Sequence, residues 1–205
     1  MVSEKKVQPM SQADEKPTDA VLIRRFLHGE ESAFEELYNR YRRQLYAFLS
    51  NLIGAGAECD EVFEETWLKV IDKLPEYKDE GRFGAWLFRV GRNRFYDRLR
   101  RTRHERENLS LDVEEPPPVA APAGYDPGER MELNEVERLV NDAVEKLPEE
   151  LRETFLLRQQ GVAFKDIAEI QQCSINTALS RMQYALRALR KALSAIDRGV
   201  LSGKN

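Results

Sequence analysis

The stretch RFGAWLFRVGRNRFYDRLRRTRHER, residues 82–106, decides how the rest of this chain is read. Nine of its residues are arginine and two are acidic, in a chain whose net charge is −4. Five aromatics are threaded through the same run. Wound as a helix at about 100° per residue, it divides into two arcs. Phe83, Trp86, Leu87, Phe88, Val90, Phe95 and Leu99 fall on a broad apolar arc. Arg89, Arg92, Asn93, Tyr96, Arg100 and Arg103 fall on the other, while Arg94 and Arg98 lean toward the packed side. A helix that packs on one side and offers guanidinium, amide and phenol groups on the other suits phosphate and base contacts. The alternative is a solvated basic face on a core helix.

Upstream, the pattern is helical throughout. A short helix is expected from Asp19 to His28, closed by Gly29. Ser32 and Glu35 have capping-box spacing. Behind them Phe34, Leu37, Tyr38, Tyr41, Leu45, Phe48, Leu49 and Leu52 recur at three- and four-residue steps, up to Gly54 and Gly56. A third helix, 60–74, carries Phe63, Trp67, Val70, Ile71 and Leu74 on one face and acids in its first turn. Pro75 stops it.

Downstream, Glu107–Gly128 contains EEPPPVAAPAGYDPG. Such a segment cannot bury enough apolar surface to fold alone and reads as a flexible acidic, proline-rich linker that lets two modules sit well apart. A second helical module follows, with helices at 130–146, 149–160, 164–171 and 175–196 and Pro148 at the first position of its second helix. The last two are joined by Gln172–Ser174, the spacing of a helix-turn-helix. Ile167, Ile175, Met182, Leu186, Leu189 and Leu193 are its expected core. Asn176, Thr177, Ser180, Tyr184, Arg187 and Lys191 turn outward, with Arg181 at the edge of that face. Gln172 stands where a turn glycine often supplies a left-handed conformation, and Ala163 where a Ser or Thr cap is common.

No strand pattern occurs, so the fold class is all-α: two small helical domains joined by a linker. The divisions are 1–18 tail, 19–106 first domain, 107–129 linker, 130–196 second domain and 197–205 tail. The N-terminus lacks the apolar core of a signal peptide and no run is long enough to span a bilayer, which places the chain in the cytoplasm without membrane insertion. Cys59 and Cys173 are far apart, and His28 and His104 are isolated, so neither a disulfide framework nor a metal site is expected. No phosphate loop or nucleophile motif is present. Neither a catalytic residue nor a cofactor is assigned.

Together these segments resemble an extracytoplasmic-function (ECF) sigma factor of the bacterial sigma-70 family, from about Asp19 to Leu193. FEELYNRYRRQLYAFL is similar to the opening helix of region 2. DEVFEETWLKVIDKLPEY is similar to the helix that docks on the beta-prime clamp of core RNA polymerase. FGAWLFRVGRNRFYDRLRR is similar to the segment that melts and reads the −10 element. The final helices, LPEELRETFLLRQQGVAFKDIAEIQQCSINTALSRMQYALRALRKAL, are similar to region 4, the reader of the −35 element. The resemblance implies −10 contacts from Tyr77, Arg82, Trp86, Arg89, Arg92, Asn93, Tyr96 and Arg100. It implies −35 contacts from Asn176, Thr177, Ser180, Arg181, Tyr184, Arg187 and Lys191. Asp60, Glu61, Glu64, Glu65 and Lys69 would dock on core polymerase. Partners implied are core RNA polymerase (beta-prime clamp and beta flap), promoter DNA and an anti-sigma factor.

Two departures stand out. Family members usually carry Ala-Arg-Asn where this chain has Gly91-Arg92-Asn93, and a mid-helix glycine costs about 1 kcal/mol against alanine unless close packing uses it. Leu179 replaces an expected cation in region 4. Two other function classes compete. A one-component helix-turn-helix regulator with an N-terminal helical sensor domain explains the second module but not the aromatic-basic helix. A protein–protein adaptor with solvated basic faces explains neither in particular.

Overall fold

The computed structural model describes residues 16–78, 80–109 and 135–202, with side chains described outside 105–109, 135–139 and 195–202. Among the described residues there is no strand. Four helices form the first module: α1 (Asp19–Leu27), α2 (Glu31–Ile53), α3 (Ala57–Lys73) and α4 (Phe83–Leu109), with a short 3₁₀ turn at Leu74–Glu76. Four more form the second: α5 (Glu135–Glu145), α6 (Glu149–Gln159), α7 (Phe164–Ile170) and α8 (Ile175–Ser202). The expected linker, from 110 onward, and the N-terminal tail up to 15 lie outside the described residues. The first residues assigned to that linker, 107–109, continue α4 as helix.

The first core is built where the sequence periodicity puts it. Leu37, Leu45, Phe48, Leu49 and Leu52 of α2 meet Val62, Val70 and Trp67 of α3 and Phe83, Leu87 and Phe88 of α4, all buried. Phe48 meets Phe88 edge-on with ring centroids 5.4 Å apart. Gly91 is buried inside α4, and a Cβ built there would lie 3.1 Å from Leu45 Cδ1. Close approach to α2 is therefore what the mid-helix glycine serves. Three expectations change. α2 begins at Glu31, and Ser32 Oγ donates to the Glu30 carboxylate, so the Ser32–Glu35 capping box does not form. Ile71 and Leu99 are exposed. Pro148 stands at the N-cap of α6, one position before its first residue, and supplies no side-chain cap.

In the second module Leu156, Leu157, Ile167, Ala168 and Ile170 are buried against α8. There the expected core is rotated. Ile175 and Leu186 are exposed, whereas Ala178 and Ala185 are fully buried with Leu189. Small side chains let α6 and α7 approach the α8 backbone closely, and the larger residues are displaced to the flank. Gln172 takes a left-handed φ of 52° in the turn between α7 and α8, as expected of that position. Ala163 precedes α7 without a side-chain cap. Ser174 Oγ accepts from the Thr177 backbone N–H at 3.0 Å and so caps α8.

The two modules do not stand apart. α6 lies against α2, and α7 against α4. Opposite charge at the contact accounts for this: α4 brings arginines and α6 and α7 bring carboxylates.

Candidate nucleic-acid interface

α4 carries its arginines on three sides, and each side has a different partner. Arg98 faces α3, reaching Glu61 closely and Glu58 at 3.7 Å. That agrees with the phasing that turned it away from a reading face. Arg82, Arg89 and Arg92 face the second module. Arg82 donates to Asp166 at 2.8 Å and Glu169 at 3.2 Å. The Asp166 bond first, and then one to Glu80, hold its guanidinium more firmly protonated than usual. Arg89 donates to Glu169 at 2.7 Å. Arg92 donates to Glu153, a carboxylate only 1% exposed, and stacks over the Tyr96 ring at 4.6 Å. Tyr96 in turn donates to Glu149. Burial first, and then this carboxylate, push its phenol pKa well above the ordinary value. Arg100 bonds Asp97 one turn back.

Tyr77 and Trp86 form an aromatic wall at the start of α4, ring centroids 4.6 Å apart. Trp86 is half-buried, not core. With Arg82, Ala85 and Arg89 the pair lines a cleft of about 350 Å³ whose opposite wall is Asp166, Glu169 and Ile170. Asn93 and Arg100 line a second cleft with Gln171 and Gln172. All eight residues expected to read the −10 element are thus brought onto one side of the first module. Sequence reading missed that Glu149, Glu153, Asp166 and Glu169 would stand opposite them. The signal was available in the acid-for-base complementarity of residues far apart in sequence.

The face of α8 is arranged differently. Asn176, Thr177, Ser180, Tyr184, Arg187 and Lys191 are all exposed, aligned along one side of the helix. The Arg187 guanidinium lies 5.7 Å from the Tyr184 ring centre. Arg181 is drawn inward and donates to Gln171 Oε1 at 3.0 Å. Exposed Leu179 flanks the polar row. A row of short polar groups at a helix start followed by cations is what a major-groove recognition helix presents.

An aromatic-arginine helix and a helix-turn-helix with an exposed polar face lie on one chain in that order. Comparison with known proteins gives the same order. Residues 37–105 match the family description Sigma-70 region 2, and residues 137–189 match Sigma-70, region 4. The ECF RNA polymerase sigma-E factor of Haemophilus influenzae is 30% identical over 174 residues, 82% of this chain and 91% of the relative.

This chain belongs to the ECF subfamily of sigma-70 RNA polymerase sigma factors.

The RNA polymerase sigma-H factor of Pseudomonas aeruginosa is 28% identical over 197 residues, 88% of this chain and 96% of that one. Among solved structures, the sigma factor RpoE of Bartonella quintana, held by the anti-sigma factor NepR, superposes with a TM-score of 0.61 at 25% identity, covering 78% of this chain and 96% of that one. As a sigma factor the chain performs no bond chemistry. It binds core RNA polymerase and promoter DNA and directs initiation.

The residues expected to dock on polymerase are less uniform than their charges suggested. Glu61 and Glu65 turn toward Arg98 of α4, with Glu65 at 3.9 Å. Asp60 accepts from Tyr46 Oη at 2.8 Å, and Lys69 bonds Asp72 at 2.8 Å. Glu64 is exposed, next to Leu68 at 67% exposure, the most exposed of the large apolar side chains described. Leu68 was not among the expected residues. Its signal is an apolar side chain four residues after Glu64, on the outward side of an amphipathic helix. Among the described residues no cluster of metal-binding side chains occurs, and no helix is long and apolar enough to cross a membrane.

Proposed function

We propose that α4 is the −10 reader of this sigma factor and α8 its −35 reader. In this reading Arg89, Arg92, Asn93, Tyr96 and Arg100 follow the separated strands. The Tyr77–Trp86 wall with Arg82 receives an extruded −10 base, by stacking and edge hydrogen bonds that offset a few kcal/mol of unstacking. Asn176, Thr177 and Ser180 reach base edges of the −35 duplex, while Tyr184, Arg187 and Lys191 hold phosphates. Arg181 supports this face through Gln171. Core polymerase docks on α3 through Asp60, Glu61, Glu64, Glu65 and Lys69 at the beta-prime clamp, and the second module meets the beta flap. The relative that crystallised with NepR supports an anti-sigma factor as a further partner, and the site of action is the cytoplasm.

The observation that carries the reading is the concentration of arginine and aromatic side chains on one side of α4, upstream of an exposed polar face on α8. In vitro transcription with purified core polymerase tests it. Transcripts from defined starts appear only when this chain is added. The variant R89A/R92A/N93A still binds core but leaves promoter thymines unreactive to permanganate. Normal melting by that variant would refute the assignment of α4.

A further inference from the structure

The contact that seats the recognition helix is smooth. α8 meets α6 and α7 through Ala178, Ala185 and Leu189, all buried. Apolar contacts of this kind are close but not directional, so they fix the rotation of α8 about its own axis only weakly. Hydrogen bonds are directional, and those that reach α8 from the rest of the module centre on Gln171. Gln171 ends α7, immediately before left-handed Gln172, and its side chain bridges α6 and α8. Its amide oxygen accepts from Thr154 Oγ1 at 2.9 Å and from Arg181 at 3.0 Å. Its amide nitrogen donates to the Glu150 carbonyl at 3.1 Å and to Glu153 Oε2 at 2.8 Å. These bonds use the whole capacity of the amide, both acceptor and both donor sites. Turning the amide over would set its NH2 against the Arg181 guanidinium and its oxygen against the Glu153 carboxylate, so the neighbours dictate its orientation. Thr154 is fully buried and Glu153 is 1% exposed, which anchors the network in α6.

We propose that Gln171 is the positioning residue of the −35 reader: its amide braces Arg181 against α6, sets the rotation of α8, and keeps that guanidinium off the DNA. The proposal rests on the reading of α8 as the −35 helix, and adds a specificity determinant that does not itself touch bases. Arg181 is the sole charged residue between Ile175 and Leu186. Held inward, it leaves the first turns of α8 to the uncharged Asn176, Thr177 and Ser180, with outward cations beginning at Arg187. Ser180 directly precedes Arg181, so a rotation that the brace resists is one that would carry Ser180 sideways. A side-chain tip about 5–6 Å from a helix axis moves about 1 Å for a rotation of about 10°. That is enough to break a base-edge hydrogen bond, whose strength falls steeply with distance and angle.

The test uses holoenzyme assembled from core RNA polymerase and the full chain, carrying Gln171→Met, Arg181→Met or Arg181→Lys. Methionine keeps an unbranched side chain and removes the hydrogen bonds. Two quantities are read: the −35 sequences recovered from a promoter library randomised at that element, and the salt dependence of holoenzyme binding to the duplex that the wild type recovers. Gln171→Met lowers discrimination among −35 sequences by at least about fivefold, the lower end of what one base contact contributes. Its freed Arg181 reaches a phosphate and steepens the salt slope by about 0.9. Arg181→Met lowers discrimination by a similar factor and leaves the slope unchanged. Arg181→Lys keeps one donor for Gln171 and restores the preference. The double Gln171→Met, Arg181→Met is no worse than either single change, since each breaks the same brace. Far-UV circular dichroism and thermal melting check folding. Should Gln171→Met not fold, the two Arg181 variants decide alone. A lower melting temperature with unchanged −35 discrimination makes Gln171 a stabiliser only and overturns the proposal. So does a slope that falls by about 0.9 in Arg181→Met, the mark of a phosphate contact, or one that stays unchanged in Gln171→Met. Failure of the underlying reading is separately visible: Asn176→Ala with Ser180→Ala, both outside the brace, would then also leave the recovered −35 sequence unchanged.

Discussion

Replacing Gly91 with alanine sets two opposed effects of similar size against each other at one site. Alanine in a helix interior is favoured over glycine by about 1 kcal/mol, from backbone entropy. Against this, the new Cβ would lie 3.1 Å from Leu45 Cδ1, with Thr66 Cγ2 at 3.5 Å and Leu49 Cδ2 at 3.6 Å. Carbon atoms prefer roughly 3.5–4.0 Å, so Leu45 must give way by about half an ångström in a fully buried core. Overpacking of this kind costs about 1–3 kcal/mol. The expected net effect of Gly91→Ala is a loss of about 0–2 kcal/mol. Leu45→Ala alone costs about 2–5 kcal/mol through lost burial and a cavity. In the Leu45→Ala background the obstruction is gone, and Gly91→Ala becomes stabilising by about 1 kcal/mol. The cycle should therefore show a coupling of about 1–3 kcal/mol. Both tryptophans, Trp67 and Trp86, lie in the first module, so fluorescence during urea unfolding reports that module directly. Additivity within about 0.5 kcal/mol, or an equal gain from Gly91→Ala in both backgrounds, would refute the argument that Leu45 is what requires glycine here.

Other outcomes are expected elsewhere in the chain. Gln172→Gly relieves a left-handed φ at an exposed position and should raise the thermal stability of the second module by up to about 1 kcal/mol; a lower melting temperature would contradict this. Burial, then the neighbouring Asp60 and Glu58, push the Cys59 thiol from 9.0 up to about 12. The native state thus gains stability from the neutral thiol that is fully present below pH 9 and lost as pH rises through 12. In native protein near neutral pH a thiol reagent should modify Cys173 and spare Cys59, and rapid loss of both thiols would show the core around Cys59 to be open. Exchanging Ser180 and Arg187 should change the −35 sequence recovered from a randomised-promoter selection, and an unchanged preference would remove both from the recognition face.

Element identity was legible because one physical pattern dominates: apolar residues at three- and four-residue steps, punctuated by Gly29, Gly54, Pro75, Pro148 and Gly161. Element faces were legible only where large side chains do the packing. In α8 they do not. A reading weighted by size selects Ile175, Met182 and Leu186, while the contact with α6 and α7 is made by Ala178 and Ala185. The capping box failed for a local reason of the same kind, since the Ser32 hydroxyl has a charged acceptor nearby in Glu30. Gly91 was readable as an anomaly, but its cause is Leu45, a side chain on another helix, and needed the fold.

Charge was the hardest signal to read, because like charges on one helix need not share a role. The arginines of α4 separate by what stands opposite them. Arg98 meets the acids of α3 and belongs to the scaffold. Its partners Glu61 and Glu65 are to that extent committed, which leaves Glu64 and the exposed Leu68 as the freer part of the face proposed to dock on polymerase. Arg82, Arg89 and Arg92 meet acids that arrive from the other module, across a stretch of chain rich in proline and acid. A structural pair holds its geometry in every state of the molecule, whereas a pair formed between separately tethered modules can be exchanged for another anion. Arg98 is thus held within its own module, whereas Arg82, Arg89 and Arg92 are the cations on α4 paired across the contact between modules.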